Sequence, residues 1–322
     1  MNLSGLVIKA HSGFFTVVCT NGQTRVCKAA GRLTKTKHKE DVLAVGDRVT
    51  LEEVVSEDWV TGRIVEVAPR KRMLARRDPV VDTNGREIRQ VIVANLDLVV
   101  FVCACAEPDF HSRMLDRYLV GAEAQKLPII ICANKVDLVG MAAARAMFAD
   151  YERIGYRVIY TSRAAGTAQP DGIALQDGID ELRAALHGKI SVLTGKSGVG
   201  KSSLMNRLKP GLAQEVGAVS ESLQKGKHTT VAPQLFALDA ESWLADTPGL
   251  RAYAIWDVQA EELDAYYPEI TPFIGDCEYS NCTHTHEQGC GVAKAVTRGD
   301  VSAARYDSYC RLRSELSRQK RW

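Results

Sequence analysis

Gly195-Lys196-Ser197-Gly198-Val199-Gly200-Lys201-Ser202 fits the pattern G-x-x-x-x-G-K-S/T, in which backbone N–H groups wrap around phosphate. The strand-like run Lys189–Thr194 precedes it and Ser203–Leu208 has helical spacing, so strand, loop and helix come in the required order. Glycines let the chain turn its N–H groups inward, and the helix N-terminus adds partial positive charge. The stretch from Gly195 to Ser203 is therefore expected to bind a nucleotide, with Lys201 reaching the β and γ phosphates and Ser202 ligating Mg2+.

Moving outward, 322 residues suffice for two or three domains. No apolar run reaches the roughly 20 residues of a membrane-spanning helix, and Met1-Asn2-Leu3-Ser4-Gly5 is unlike a signal peptide, so a cytoplasmic protein with no membrane partner is expected. Nine cysteines without a secretory signal point to reduced thiols and, where clustered, to a metal site. The net charge of +2 conceals an asymmetry. Residues 1–93 hold 16 Lys+Arg against 11 Asp+Glu, residues 94–293 hold 17 against 25, and residues 294–322 hold 8 against 3. Basic ends around an acidic centre suit a polyanionic partner, most simply nucleic acid, at the flanks.

Residues 1–93 read as short strands between turns: Gly5–Ala10, Phe14–Cys19, Gln23–Ala29, Asp47–Val54, Thr61–Val67 and Glu87–Val93. Asn21-Gly22 favours a hairpin, and a small barrel of the oligonucleotide-binding kind (OB-fold) is expected, with other small β-barrels as competitors. Lys35-Thr36-Lys37-His38-Lys39, Arg70-Lys71-Arg72 and Arg76-Arg77 are expected in loops, where cations can follow a phosphate backbone. Few aromatics accompany them, which favours folded RNA over stacked single strands.

The apolar run Asp97–Ala106 opens an α/β region, followed by helical spacing over Arg113–Lys126 and a second apolar strand, Pro128–Cys132. That strand ends at Asn134-Lys135-Val136-Asp137, which resembles the guanine-recognition tetrad of GTPases. A carboxylate at Asp137 can accept from both N1–H and N2–H₂ of guanine, a donor pair adenine lacks. Asn134 would hold the loop and contact the base, and the Lys135 stem would cover its face. Thr161-Ser162-Arg163, after the strand Arg157–Tyr160, resembles a degraded form of the element whose backbone holds guanine, which brings Ser162 into the set.

Ordinary small GTPases place the phosphate loop before the base-reading tetrad, but here Asn134 precedes Gly195. The domain reads as circularly permuted, which is tolerable because domain termini commonly lie close together on the surface. Permuted order, a β-barrel in front and a Cys/His cluster behind resemble the ribosome small-subunit-dependent GTPase A family over essentially the whole chain. The resemblance implies a GTPase that binds the small ribosomal subunit and its rRNA during late maturation, is stimulated by it, and leaves after hydrolysis.

Under that resemblance Gly226-Lys227-His228-Thr229-Thr230 looks like the first switch and Asp246-Thr247-Pro248-Gly249 like the second. Thr230, with Thr229 as the alternative, would close on Mg2+. Asp246 would bind that ion through water, and the Gly249 N–H would sense the γ-phosphate. Many GTPases orient the attacking water with a glutamine directly after this glycine, but here stands Leu250, which makes no side-chain hydrogen bond. The family implies a histidine beside the switch threonines, so His228 joins Lys201 and Thr230 as a candidate catalytic residue.

Cys277, Cys282, His284 and Cys290 offer three sulfurs and one imidazole at close spacing, a donor set suited to one structural Zn2+ with no open position for substrate water. His286 is a possible substitute, and the family pattern favours His284. Downstream, Val301, Ala304, Tyr309, Leu312 and Leu316 form an apolar helical stripe, with Arg305, Arg311, Arg313, Arg318, Lys320 and Arg321 expected as basic surface. Arg251–Trp256 joins the second switch to the zinc module, so nucleotide state is expected to pass to it.

The expected architecture is a multidomain monomer: an OB-fold barrel over 1–93, a circularly permuted α/β phosphate-loop GTPase domain over 94–265, and a zinc-binding, partly helical domain over 266–322. GTP and GDP are its ligands. The alternatives are an assembly factor that uses GTP as a structural ligand, and a phosphate-loop ATPase or kinase, against which Asp137 argues.

Overall fold

A computed structural model describes residues 2–34, 42–54, 61–81, 87–163, 177–217, 233–246 and 258–319. The first strands, β1 (Asn2–His11), β2 (Phe14–Cys19) and β3 (Thr24–Ala29), bury Val7, Val17, Cys19 and Cys27, and a single helical turn, α1 (Gly31–Thr34), follows. With β4 (Arg48–Glu53) and β5 (Gly62–Val67) they close in the order β1-β2-β3-β5-β4, β4 returning to β1. This is a small barrel as expected, of five strands, filled by Val7, Val17, Cys27, Val49, Leu51 and Ile64. Gly22, at φ +81°, turns the β2–β3 hairpin as Asn21-Gly22 predicts.

Three expectations for this region are corrected. The sixth strand, β7 (Glu87–Ala94), is no barrel strand but pairs with β6 (Met73–Val81) in a separate two-stranded sheet. Arg76 and Arg77 therefore lie in a strand, opposite Gln90 and Arg89, and not in a loop. The charged run Arg76-Arg77-Asp78-Pro79 breaks the apolar alternation and hid β6. Arg70 is not a free cation either: its Nε and Nη2 each donate at 2.8 Å to Asp47, which is fully buried. Lys71 and Arg72 remain exposed, and Lys35–Lys39 lie outside the described residues.

The chain continues through β8 (Leu98–Ala104), α2 (Ser112–Ala124), β9 (Ile129–Asn134), α3 (Met141–Arg153), β10 (Arg157–Thr161), α4 (Ile179–Leu186), β11 (Ile190–Thr194), α5 (Lys201–Leu208), β12 (Gln234–Ala237) and β13 (Trp243–Asp246). It ends with 3-10 turns at Ala260–Tyr266 and Thr271–Asp276, then α6 (Gly291–Arg298) and α7 (Ala303–Gln319). Two compact units result: Met1–Val100 with Ile179–Gly195 and Gly200–Ala252, and Phe101–Gly178 with Lys196–Val199 and Tyr253–Trp322.

In the first unit, β11 runs parallel to β13, β12 pairs antiparallel with β13, and β12 also meets β1 of the barrel. All five residues of β11 are buried, as befits a strand covered on both faces. In the second unit, β9 lies between β8 and β10, parallel to β10. The C-terminal helices share a core with α2 through Val120, Leu263, Tyr267, Val292, Tyr309, Leu312 and Leu316.

The apolar stripe of α7 is buried at Tyr309, Leu312 and Leu316, but Ala304 is exposed and Arg305 takes the inward place beside it. Arg305 stands one helical turn before Tyr309, on the same face, and is 3% exposed. Its Nη1 donates to Asp116 at 2.5 Å and its Nε to Glu269 at 2.7 Å, so it is an interior charge and not basic surface. Arg311 pairs with Asp307 at 2.9 Å, and Arg313 donates to the Ala260 carbonyl. Lys320 and Arg321 lie outside the described residues. Among the described residues no helix is long and apolar enough to cross a membrane.

Candidate functional site

The phosphate-loop sequence adopts the backbone its glycines permit. Gly195, Gly198 and Gly200 have φ of +150°, +84° and +99°, all costly for a residue with a Cβ. Buried β11 delivers the loop and Gly200 caps α5, whose first residues are Lys201, Ser202 and Ser203. Lys196, Ser197, Gly198 and Ser202 are exposed, whereas Val199 is buried and anchors the loop. The Lys201 ammonium folds back to donate to the Gly195 carbonyl at 2.7 Å, placing the cation across the mouth of its own loop. Exposed N–H groups, a cation and the start of a helix make this an anion cradle.

The tetrad lies at the C-terminal end of β9. Asn134 is 4% exposed; its Nδ2 donates to the Val199 carbonyl at 2.8 Å, and its Oδ1 accepts from the Thr161 hydroxyl at 2.9 Å. One amide thus joins three segments: the tetrad, the phosphate loop and the end of β10. Lys135 takes a left-handed conformation, φ +62°, which swings the chain so that Asp137 follows in a short 3-10 turn. Asp137 Oδ1 accepts from the Ser162 hydroxyl at 2.9 Å and the Arg163 N–H at 3.4 Å. Lys135 donates to the Glu107 carbonyl. Nearby Cys105 has its thiol pushed up to about 12, chiefly by burial, and is a protonated packing group rather than a nucleophile.

Asp246 ends β13, which places the start of the second switch sequence at a strand terminus. His228, Thr229, Thr230, Gly249 and Leu250 lie outside the described residues, as do Arg251–Trp256.

The ligand atoms of Cys277, Cys282, His284 and Cys290 all lie within 4.8 Å of one another. His284 turns Nδ1 toward the sulfurs, 3.4 Å from Cys277 and 3.6 Å from Cys290, and Nε2 toward Asp264 Oδ2 at 3.2 Å. His286 stands outside the cluster, exposed, against the Thr285 hydroxyl. N–H groups of Gly291 and Ala293 point at the Cys277 and Cys290 sulfurs at 3.3 and 3.4 Å. Three sulfurs, one imidazole, amide donors to sulfur and a carboxylate behind the histidine fit a tetrahedral metal with an ordered surround.

The electrostatics follow this geometry. The Asp264 hydrogen bond raises His284 to about 9, and the same bond lowers Asp264. Burial opposes ionisation of Cys277, but the Gly291 and Val292 N–H groups outweigh it and hold that thiol below its ordinary value. Burial pushes Cys282 up to about 12. Burial also opposes ionisation of Glu287. Hydrogen bonds from the Thr283 hydroxyl and N–H and from the His286 N–H outweigh it and keep the carboxyl below the usual range, pinning the ligand-bearing turn. The sequence does not mark Asp264 or Glu287, and Asp264, twenty positions from its histidine, forms no local pattern with it.

A glycine-turned loop after β11, hydrogen-bonded through Val199 to Asn134 at the end of β9, defines a phosphate-loop nucleotide-binding protein whose N-K-x-D sequence precedes its phosphate-loop sequence in the chain. Residues 67–256 match the model of the RsgA GTPase and residues 4–59 that of the RsgA N-terminal domain, and the chain belongs to the RsgA GTPase family. It is 42% identical to the small ribosomal subunit biogenesis GTPase RsgA of Gemmatimonas aurantiaca, over 97% of each chain. It is 36% identical to the protein of the same name from Alkaliphilus metalliredigens, over 99% of each. The crystal structure of YjeQ from Thermotoga maritima superposes with a TM-score of 0.75 at 31% identity, covering 98% of this chain and 99% of that one. YloQ, described as a circularly permuted GTPase, gives 0.70 at 26%, covering 100% and 97%.

Proposed function

We propose that this chain hydrolyses GTP to GDP and phosphate, is stimulated by the small ribosomal subunit, and acts in that subunit's late maturation. The observation that carries this is the 2.8 Å hydrogen bond from Asn134 to Val199, which ties base reading to phosphate binding despite their reversed order. Asp137 selects guanine, Lys135 covers its face, and Ser162 steadies the carboxylate. Gly195–Ser203 cradles the phosphates and Lys201 offsets charge that builds on them in the transition state. Ser202 and Thr230 would hold Mg2+, with Asp246 behind a water; the ion would draw charge from the β and γ phosphates. Gly249 would register the γ-phosphate, and His228 would orient and deprotonate the attacking water where Leu250 cannot.

The cysteine cluster would hold one structural Zn2+ through Cys277, Cys282, His284 Nδ1 and Cys290. The barrel, with Lys71 and Arg72 exposed, and the C-terminal module would meet rRNA. The functional partition is 1–93, 94–265 and 266–322, in a cytoplasmic monomer.

Phosphate release from GTP, with and without purified small subunits, tests the proposal: slow intrinsic turnover should rise at least about tenfold on addition of subunits. His228→Ala should retain GTP affinity and lose most of that rise. Leu250 also favours a second reading, an assembly factor that binds GTP and scarcely turns it over. Subunit binding with no added phosphate release would select it.

A further inference from the structure

The segment between β8 and α2 touches both the tetrad and the phosphate loop. At its start the Cys105 N–H donates to the Asn134 carbonyl at 2.9 Å, and further on the Glu107 carbonyl accepts from Lys135. Pro108 then lies against the phosphate loop, its Cδ 3.5 Å from where a Cβ on Gly198 would stand. Glu107 holds a left-handed conformation, φ +50°, which a residue with a Cβ keeps only where its surroundings impose it.

That support reaches the segment at Phe110. Its ring packs on Phe148 at 4.7 Å and meets Tyr151 edge-on at 6.5 Å, both on α3 and both buried. The Tyr151 hydroxyl donates at 2.8 Å to Asp116, on the helix into which Phe110 leads. Burial, and after it the Asp116 charge, push that hydroxyl up, so it stays protonated and donating. Arg305 of α7 donates to the same Asp116 oxygen and lies over the Tyr151 ring, 5.5 Å from its centroid, while its Nε holds Glu269. All of these residues belong to the second compact unit. An unbroken run of contacts thus leads from an arginine of the C-terminal module to Lys135 and Gly198.

We propose that Tyr151, braced by Arg305, is a positioning residue for guanine-nucleotide binding: through Asp116 and Phe110 it fixes the segment 105–110, which seats Lys135 at the base and Gly198 at the phosphates. The inference rests on the GTPase reading above and adds that the C-terminal module supports the nucleotide site by a route separate from Arg251–Trp256. The two routes differ in what they sense. Lys135 and Gly198 meet parts that GDP and GTP share, so loosening this route weakens both nucleotides alike. A route through the second switch acts on the γ-phosphate, and so on GTP alone.

Tyr151→Phe in the full chain keeps the ring and removes the hydroxyl. Its Kd for GDP and for a non-hydrolysable GTP analogue should both rise about fivefold, the size of one hydrogen bond, with their ratio unchanged. Arg305→Met, measured at a temperature where it remains folded, should show the same paired loss. Tyr156→Phe is the control, since it removes a half-buried hydroxyl of the same unit, 2.9 Å from Glu123, that lies off this route. It should lose similar thermal stability while nucleotide affinity stays within about twofold of wild type. Wild-type affinities in Tyr151→Phe or in folded Arg305→Met overturn the proposal. So does a loss confined to the GTP analogue, or an equal loss in Tyr156→Phe, which marks general destabilisation. A wild-type chain that binds no guanine nucleotide overturns instead the GTPase reading, and this inference with it.

Discussion

The tetrad around Asn134 and the cluster around His284 both gather distant residues to a point, but they leave different things free. Around Asn134 the protein's own hydrogen bonds are spent on Val199 and Thr161, holding loops in place while Lys196, Ser197 and Ser202 stay exposed. Around His284 every ligand faces inward and the outer imidazole nitrogen is taken by Asp264. The first arrangement is open and suits a ligand that comes and goes; the second is closed and suits one that stays. Opening and closing these two regions separately should therefore give different phenotypes.

The largest effect should follow from breaking the closed one. Cys282→Ser should abolish stoichiometric zinc by native mass spectrometry and raise the protease susceptibility of residues 258–319, since a structural zinc contributes its binding energy to folding. Zinc content unchanged from wild type would dismiss the cluster as a metal site. Next comes the interior charge that joins α7 to α2. Arg305→Met leaves Asp116 and Glu269, 1% and 3% exposed at their side chains, without their cation. A destabilisation of about 3–5 kcal/mol is expected in denaturant titration, and a change below about 1 kcal/mol would mean the pair is solvated in solution.

In the open region, Asn134→Ala strands the Val199 carbonyl and the Thr161 hydroxyl. It should cost about 2 kcal/mol of stability and at least about tenfold in GTP affinity, both readable by calorimetry. A stability loss with unaltered GTP affinity would separate the hydrogen bond from nucleotide binding.

The smallest effect concerns pH. Without metal, the Asp264 hydrogen bond raises His284 to about 9, above its unfolded value. A raised folded pKa stabilises fully below about 6.5, the unfolded value, and that contribution disappears as pH rises through about 9. Zinc affinity should run the opposite way, rising with pH as the ligands lose protons. Asp264→Asn should flatten the chelated protein's stability profile between those limits, and an unaltered profile would remove Asp264 from the histidine's surroundings.

What could be read from sequence was what is local. The phosphate loop, the tetrad and the four metal-site residues each sit in a short window whose spacing is the chemistry, and the barrel strands are short runs between turns. Arg70 and Arg305 look like surface charges in sequence because a lone cation resembles solvated surface; their partners Asp47 and Asp116 lie 23 and 189 positions away. Strand β6 was hidden by its own charges.

The most direct test is whether a single guanosine nucleotide is held at its base by Asp137 and at its phosphates by Lys201. Equilibrium titration with a fluorescent GTP analogue, competed by GTP and ATP, tests this in wild type, Asp137→Asn and Lys201→Ala. One nucleotide per chain is predicted, displaced by GTP and not by ATP, with affinity reduced at least about 100-fold in Asp137→Asn and substantially in Lys201→Ala. Equal displacement by ATP, or wild-type affinity in Asp137→Asn, would contradict it.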